Sequence, residues 1–68
     1  MELSARNQLK GTVTDIKLGT IMAEVTVDVG GGQTVVSVIT RGSVERMQLK
    51  AGDAVTVIIK STEVMLAK

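Results

Sequence analysis

Apolar and polar positions alternate along most of this chain, and the alternation stops only at glycines and short charged runs. From Ile21 to Val29 the odd positions are Ile21, Ala23, Val25, Val27 and Val29, against Met22, Glu24, Thr26 and Asp28 on the even ones. A period of two sends successive side chains to opposite faces, so this segment predicts a strand with one buried face. Gly30-Gly31-Gly32 breaks the pattern, and Gln33–Thr40 resumes it as a second β-branched run. Glycines between two such runs predict a hairpin loop. A phosphate cradle is the other reading of a Gly run, but no Gly-Lys-Ser/Thr follows it and no helix opens after it.

Upstream, Gln8–Ile16 predicts an opening strand, with Gly11 as a bulge or bend, and Lys17-Leu18-Gly19-Thr20 a turn. Arg41–Met47 is the one stretch with helical character, enough for one or two turns. Ser43 is a candidate cap for it, although Arg46 stands where a reciprocal capping box needs Glu. Lys50–Asp53 predicts another turn, Ala54–Ile59 an apolar strand, and Val64–Ala67 a short final strand after Ser61-Thr62-Glu63. The expectation is an all-β chain, a five-stranded OB-like Greek-key barrel with one short helical turn between strands 3 and 4. Residues 1–68 would form this single domain. Closure would remove the edges that an open sheet of Val and Ile leaves exposed.

Composition makes that core marginal. A chain of 68 residues buries only about 60% of the surface its unfolded form exposes. Here Phe, Tyr and Trp, the largest contributors of buried area, are absent. Cys is absent as well, so no disulfide can reinforce the fold, and the lack of Cys is compatible with a reducing cytoplasm. No metal cage can be drawn without His or Cys, which leaves self-association as the expected source of further burial. A cytoplasmic location is expected, because Met1-Glu2-Leu3-Ser4 has neither the basic nor the apolar region of a signal peptide. No apolar stretch approaches the roughly 20 residues needed to span a bilayer, so no membrane partner is expected.

The chemistry on offer narrows accordingly. The carboxylates Asp15, Glu24, Asp28, Glu45, Asp53 and Glu63 are scattered singly, and with no His there is no obvious acid–base pair, so an enzyme is not expected. A net charge of +1 and no aromatic ring give neither the basic groove nor the stacking platform of a nucleic-acid binder. What remains are donors: hydroxyls, ammonium groups, a guanidinium and backbone N–H. Ser4 and Arg6 lie just before the first strand, and Lys60-Ser61 where the fourth ends. Such a set suits a fully deprotonated tetrahedral anion, which accepts hydrogen bonds and gives none. A solvated charge at a strand end and an ordinary turn is the alternative for each half.

Ser4-Ala5-Arg6-Asn7-Gln8-Leu9-Lys10-Gly11 closely resembles the opening motif of the molybdate-binding Mop proteins, or molbindins. Ile39-Thr40, Ser43-Val44, Leu49, Gly52, Val55 and Lys60-Ser61 also resemble that family and the related TOBE domains. The resemblance implies an OB-like barrel assembled as a homohexamer, a trimer of dimers. It implies an intracellular molybdate or tungstate oxyanion store or buffer with no other cofactor, no free metal cation and no nucleic acid as partner. It places one class of site between subunits, carried over here to Ser4, Ala5, Arg6, Lys60 and Ser61. A second class is placed near a threefold axis, loosely around Gly19, Thr20, Thr40, Arg41 and Ser43, where turn and helix-cap duty explains the same residues. The alternative function is a non-catalytic structural or nucleic-acid-binding OB-type barrel.

Overall fold

A computed structural model describes residues 2–68. Four strands run Asn7–Leu18 (β1), Met22–Gly30 (β2), Gln33–Thr40 (β3) and Ala54–Ile59 (β4), with a helix, Arg41–Met47 (α1), between the last two. They form one antiparallel sheet in the order β3-β2-β1-β4. The alternation read from the sequence sets the faces. Val13, Ala23, Val25 and Val27 are buried, joined by Val44 of α1, with Ile16, Val29, Ile39, Leu49, Val55 and Val57 packed around them. The residues between them on each strand face outward.

The hairpin between β2 and β3 is tighter than three glycines require. Gly30 pairs with Gln33, which leaves Gly31 and Gly32 as a two-residue turn with φ of 63° and 75°. Positive φ at both central positions is the type I′ geometry whose twist matches the flanking strands, and glycine adopts it without a Cβ penalty. Asp28 Oδ1 accepts the Gly30 N–H at 2.8 Å and steadies the entry.

Four expectations change. No strand forms over Val64–Ala67, so the sheet has four strands within the chain and not five. β4 ends at Ile59, a single 3₁₀ turn spans Ser61–Glu63, and the segment beyond it joins no ladder. The β1 bulge is at Thr14, where pairing steps from Val13↔Val27 to Asp15↔Thr26, and not at Gly11. Gly11 instead marks a close approach: a Cβ there would lie 2.6 Å from both the Asp28 carbonyl oxygen and Val27 Cγ1.

The helix cap is Thr40, whose Oγ1 accepts the Ser43 N–H at 3.0 Å, so Ser43 is a first-turn residue of α1 and not its cap. The cap sits where β3 ends, because extended Thr40 (φ −71°, ψ 149°) still aims its hydroxyl into the first turn. Ile21, read as an inward strand residue, belongs to the β1–β2 turn and is 73% exposed. Its carbonyl accepts the Arg41 N–H at 2.7 Å and ties that turn to the start of α1.

Candidate functional site

The two halves of the sequence-derived site meet through the register of β1 and β4. These strands pair from Thr12↔Ala54 to Asn7↔Ile59, and the last pair is the end of the ladder. Ser4-Ala5-Arg6 immediately precede Asn7, and Lys60-Ser61 immediately follow Ile59. Antiparallel pairing therefore delivers both segments to the same end of the same chain, which the sequence expectation had joined only across a subunit boundary.

Two side-chain bonds shape this end. Asn7 Nδ2 donates to the Ile59 carbonyl at 3.2 Å, adding a side-chain bond to the final rung. Gln8 Nε2 donates to the Ala5 carbonyl at 2.8 Å. The C=O and N–H of one trans peptide point in opposite directions, so fixing the Ala5 carbonyl also fixes where the Arg6 N–H points. Asn7 and Gln8 were legible in the motif as neighbours of the donors. Their role as the clamp and brace appears only with the register.

The donors themselves are uncommitted. Among the described residues, no hydrogen bond within the chain uses the Ser4 or Ser61 hydroxyl, the Lys60 ammonium or the Arg6 guanidinium. Nor is Arg6 or Lys60 in an ion pair. Ser4, Arg6, Lys60 and Ser61 are all exposed, and Ala5 is half-buried. This end of the chain is an open rim of exposed donors with no walls around it to exclude water.

The second group converges, and several of its polar atoms are bonded within the chain. Arg41 Nη1 donates to the Gly19 carbonyl at 3.4 Å, and Arg41 Nε to Glu45 Oε1 at 3.3 Å. Thr40 and Ser43 hydroxyls bond each other at 2.8 Å within the helix cap, and Arg46 Nη2 donates to Ser43 Oγ at 3.4 Å. Gly19 N–H donates to the Met22 carbonyl at 2.7 Å, closing the turn that contains Thr20. Arg41 thus fastens the β1–β2 turn to α1 through the Gly19 and Ile21 carbonyls, while Thr40 and Ser43 hold the helix cap.

Elsewhere, Asp53 accepts from Lys50 N–H at 3.0 Å and Lys50 Nζ at 2.9 Å. These Lys50 hydrogen bonds hold its carboxyl below the ordinary value. Among the described residues no three His, Cys, Asp or Glu side chains gather to hold a metal ion. No described helix is long and apolar enough to cross a membrane.

Comparison with known proteins covers this geometry from end to end. The TOBE domain model matches residues 3–66. The chain is 48% identical to molybdenum-pterin-binding protein 1 of Clostridium pasteurianum, over 97% of each chain. The solved molybdate-binding protein of Sporomusa ovata superposes with a TM-score of 0.94 at 41% identity, covering 100% of both chains. A structure of the cytoplasmic molybdate-binding protein ModG with molybdate bound matches with a TM-score of 0.86 at 41% identity, over 90% of this chain and 43% of that one. Full-length identity at this level, on the same fold, leaves one assignment: the chain belongs to the TOBE domain family, among its Mop-type molybdenum-pterin-binding proteins.

Proposed function

We propose that this protein is a non-catalytic molybdate- and tungstate-binding protein of one domain, residues 1–68, which holds the oxyanion for storage or homeostasis in the cytoplasm. The observation that carries this reading is the Asn7↔Ile59 pairing, which brings Ser4-Ala5-Arg6 and Lys60-Ser61 to one rim with their donors free. The relatives named for molybdate binding supply the choice of anion. The pterin in the relatives' names would need a ring platform, and the chain has no Phe, Tyr or Trp to offer one. The donor set favours the bare oxyanion.

The rim's exposure argues for a site shared between subunits. A dianion held in open water gains little from its ligands, whereas covering the rim strengthens each charged hydrogen bond. A twofold contact between two such rims creates two equivalent sites, each joining Ser4-Ala5-Arg6 of one subunit to Lys60-Ser61 of the other. Outward-facing apolar residues favour self-association as well: Met22, Val36 and Val38 lie 45%, 55% and 62% exposed on neighbouring strands. Family resemblance sets the expected state at a hexamer built as a trimer of dimers.

Calorimetric titration with molybdate, tungstate, sulfate and a short oligonucleotide tests the reading, with sedimentation equilibrium giving the assembly. Molybdate and tungstate should bind alike and more tightly than sulfate, whose smaller size leaves stretched bonds in fixed donors. Equal affinity for sulfate would mean a generic anion patch, and oligonucleotide binding in place of molybdate would favour the other barrel function.

A further inference from the structure

Gln8 reaches from the sheet back into the donor segment. Its backbone is held in the β1–β4 ladder opposite Ile58, and its Nε2 donates to the Ala5 carbonyl at 2.8 Å. The ladder begins at Asn7, so the Arg6 N–H lies outside it. Among the described residues no carbonyl or side chain takes that N–H. The peptide between Ala5 and Arg6 is therefore gripped at its oxygen and free at its amide. A trans peptide is planar with the two groups opposed, so one bond at the oxygen sets the direction of the donor.

Fold stability does not account for this bond. Gln8 is exposed, and an exposed amide bond replaces one to water while costing a long side chain its rotamer freedom. What the bond does restrict is the peptide itself. Without it, the Ala5–Arg6 plane can swivel about its flanking single bonds with little movement of either side chain. A swivelling donor adapts to tetrahedral anions of different size, whereas a fixed one favours the size it is set for.

We propose that Gln8 is a positioning residue that determines the specificity of the oxyanion rim, holding the Arg6 N–H where a molybdate-sized or tungstate-sized dianion meets it and sulfate falls short. This inference rests on the oxyanion function proposed above, and assigns its selectivity to a side chain whose own donor is engaged with Ala5. Charge contributes little to the choice, because the three dianions carry the same charge and Lys60 attracts them alike. Donor placement is what separates them, since a smaller anion can reach a fixed donor only through a stretched bond.

Calorimetric titration of the full-length assembled protein with molybdate and with sulfate gives the ratio of the two affinities, which added charge moves little. Gln8→Ala should weaken molybdate roughly three- to tenfold, the range for misaligning one hydrogen bond. Sulfate should weaken less, so the ratio falls. Gln8→Glu keeps the length of the side chain but loses its donor, and should lower the ratio in the same way. Gln8→Lys brings a donor back and should restore the ratio while strengthening both anions. A parent-like ratio in Gln8→Ala, or a ratio lost in Gln8→Lys, would overturn the assignment.

An HNCO spectrum of the anion-free protein reads the brace directly, because the Arg6 cross-peak joins that N–H to the Ala5 carbonyl carbon. Gln8→Ala should move this peak to lower carbon frequency, as a carbonyl does on losing a hydrogen bond, and Gln8→Lys should return it toward the parent position. An unmoved peak in Gln8→Ala would overturn the brace and leave the oxyanion function standing. Equal affinity of the parent for molybdate and sulfate would instead refute that function, and with it the selectivity assigned to Gln8.

Discussion

Replacing Gly11 by Ala tests how closely β1 and β2 are fitted. Gly11 pairs with Val55 on β4, and next to it Thr12 pairs with Asp28 on β2. The new Cβ would sit 2.6 Å from the Asp28 carbonyl oxygen and from Val27 Cγ1, about 1 Å inside ordinary van der Waals separation. Val27 can retreat only by leaving its rotamer well, at about 0.5–1.5 kcal/mol, and it is 3% exposed in the core. Asp28 O is backbone and can retreat only by opening the ladder.

Overpacking of this kind costs about 1–3 kcal/mol. Removing the flexibility of glycine from the unfolded chain returns about 0.4–1 kcal/mol. The expected net loss is about 1–2 kcal/mol by the same two principles. Urea unfolding followed by far-ultraviolet circular dichroism measures it, since the chain has no aromatic fluorophore. Protein concentration is held fixed because assembly contributes to stability. Gly42→Ala is the control: in α1, its nearest neighbour is Thr40 Oγ1 at 4.0 Å, and helix propensity predicts a gain of up to about 1 kcal/mol. A Gly11→Ala midpoint at or above the parent's would refute the close-approach argument.

Thr40→Ala removes the hydroxyl that caps α1 and should cost about 1 kcal/mol in the same unfolding assay. Lys60→Ala should weaken molybdate binding by about 2–3 kcal/mol, the loss of a charged hydrogen bond plus its Coulomb attraction, and Ser61→Ala by about 1 kcal/mol, both read by calorimetry. Arg6→Ala should be nearly silent if Arg6 serves through its backbone N–H, whose direction the Gln8 bond to Ala5 sets. Asp53 has a carboxyl held below its ordinary value of 3.8 by the Lys50 hydrogen bonds, so its ionised form stabilises the fold above that value. The contribution disappears as pH falls through the lowered value. The melting temperature of Asp53→Asn should therefore lie below the parent's near neutrality and converge with it in acid.

The strands that punctuation brackets were the legible part of this fold. Gln33–Thr40, Ala54–Ile59 and Arg41–Met47 have the bounds the sequence predicts, because glycines, a turn-forming Asp53 and the change of period mark their ends. β1 extends beyond Gln8–Ile16 to Asn7 and Leu18 because pairing with β4 and β2 recruits residues of no special pattern. Val64–Ala67 has strand composition yet forms no strand in the chain, since strand propensity expresses fit to neighbours and none is present there. The donors Ser4, Arg6, Lys60 and Ser61 were named by donor chemistry and position, and resemblance supplied the identity of the anion. That they share one end follows from the β1–β4 register, which neither motif contains. Ser43 and Arg41 looked equally ligand-like in sequence. In the structure Ser43 bonds Thr40, and Arg41 bonds Gly19 and Glu45.

The last rung of the β1–β4 ladder, Asn7 against Ile59, would make the proposed anion rim a conditional object. Ladder ends open and close far more often than ladder centres, and each opening would displace both donor segments of that chain, Ser4-Ala5-Arg6 and Lys60-Ser61, from the positions in which the proposed rim meets its partner's. At the proposed site, an anion would meet a competent rim only during the closed fraction of time, so its apparent dissociation constant would be the intrinsic one divided by that fraction. The Asn7 side-chain bond to Ile59 then works as a latch. Its amide is engaged with Ile59, so at the proposed site it would tune occupancy through how long the end stays shut, and bound anion should in turn slow hydrogen exchange at the amides beside it.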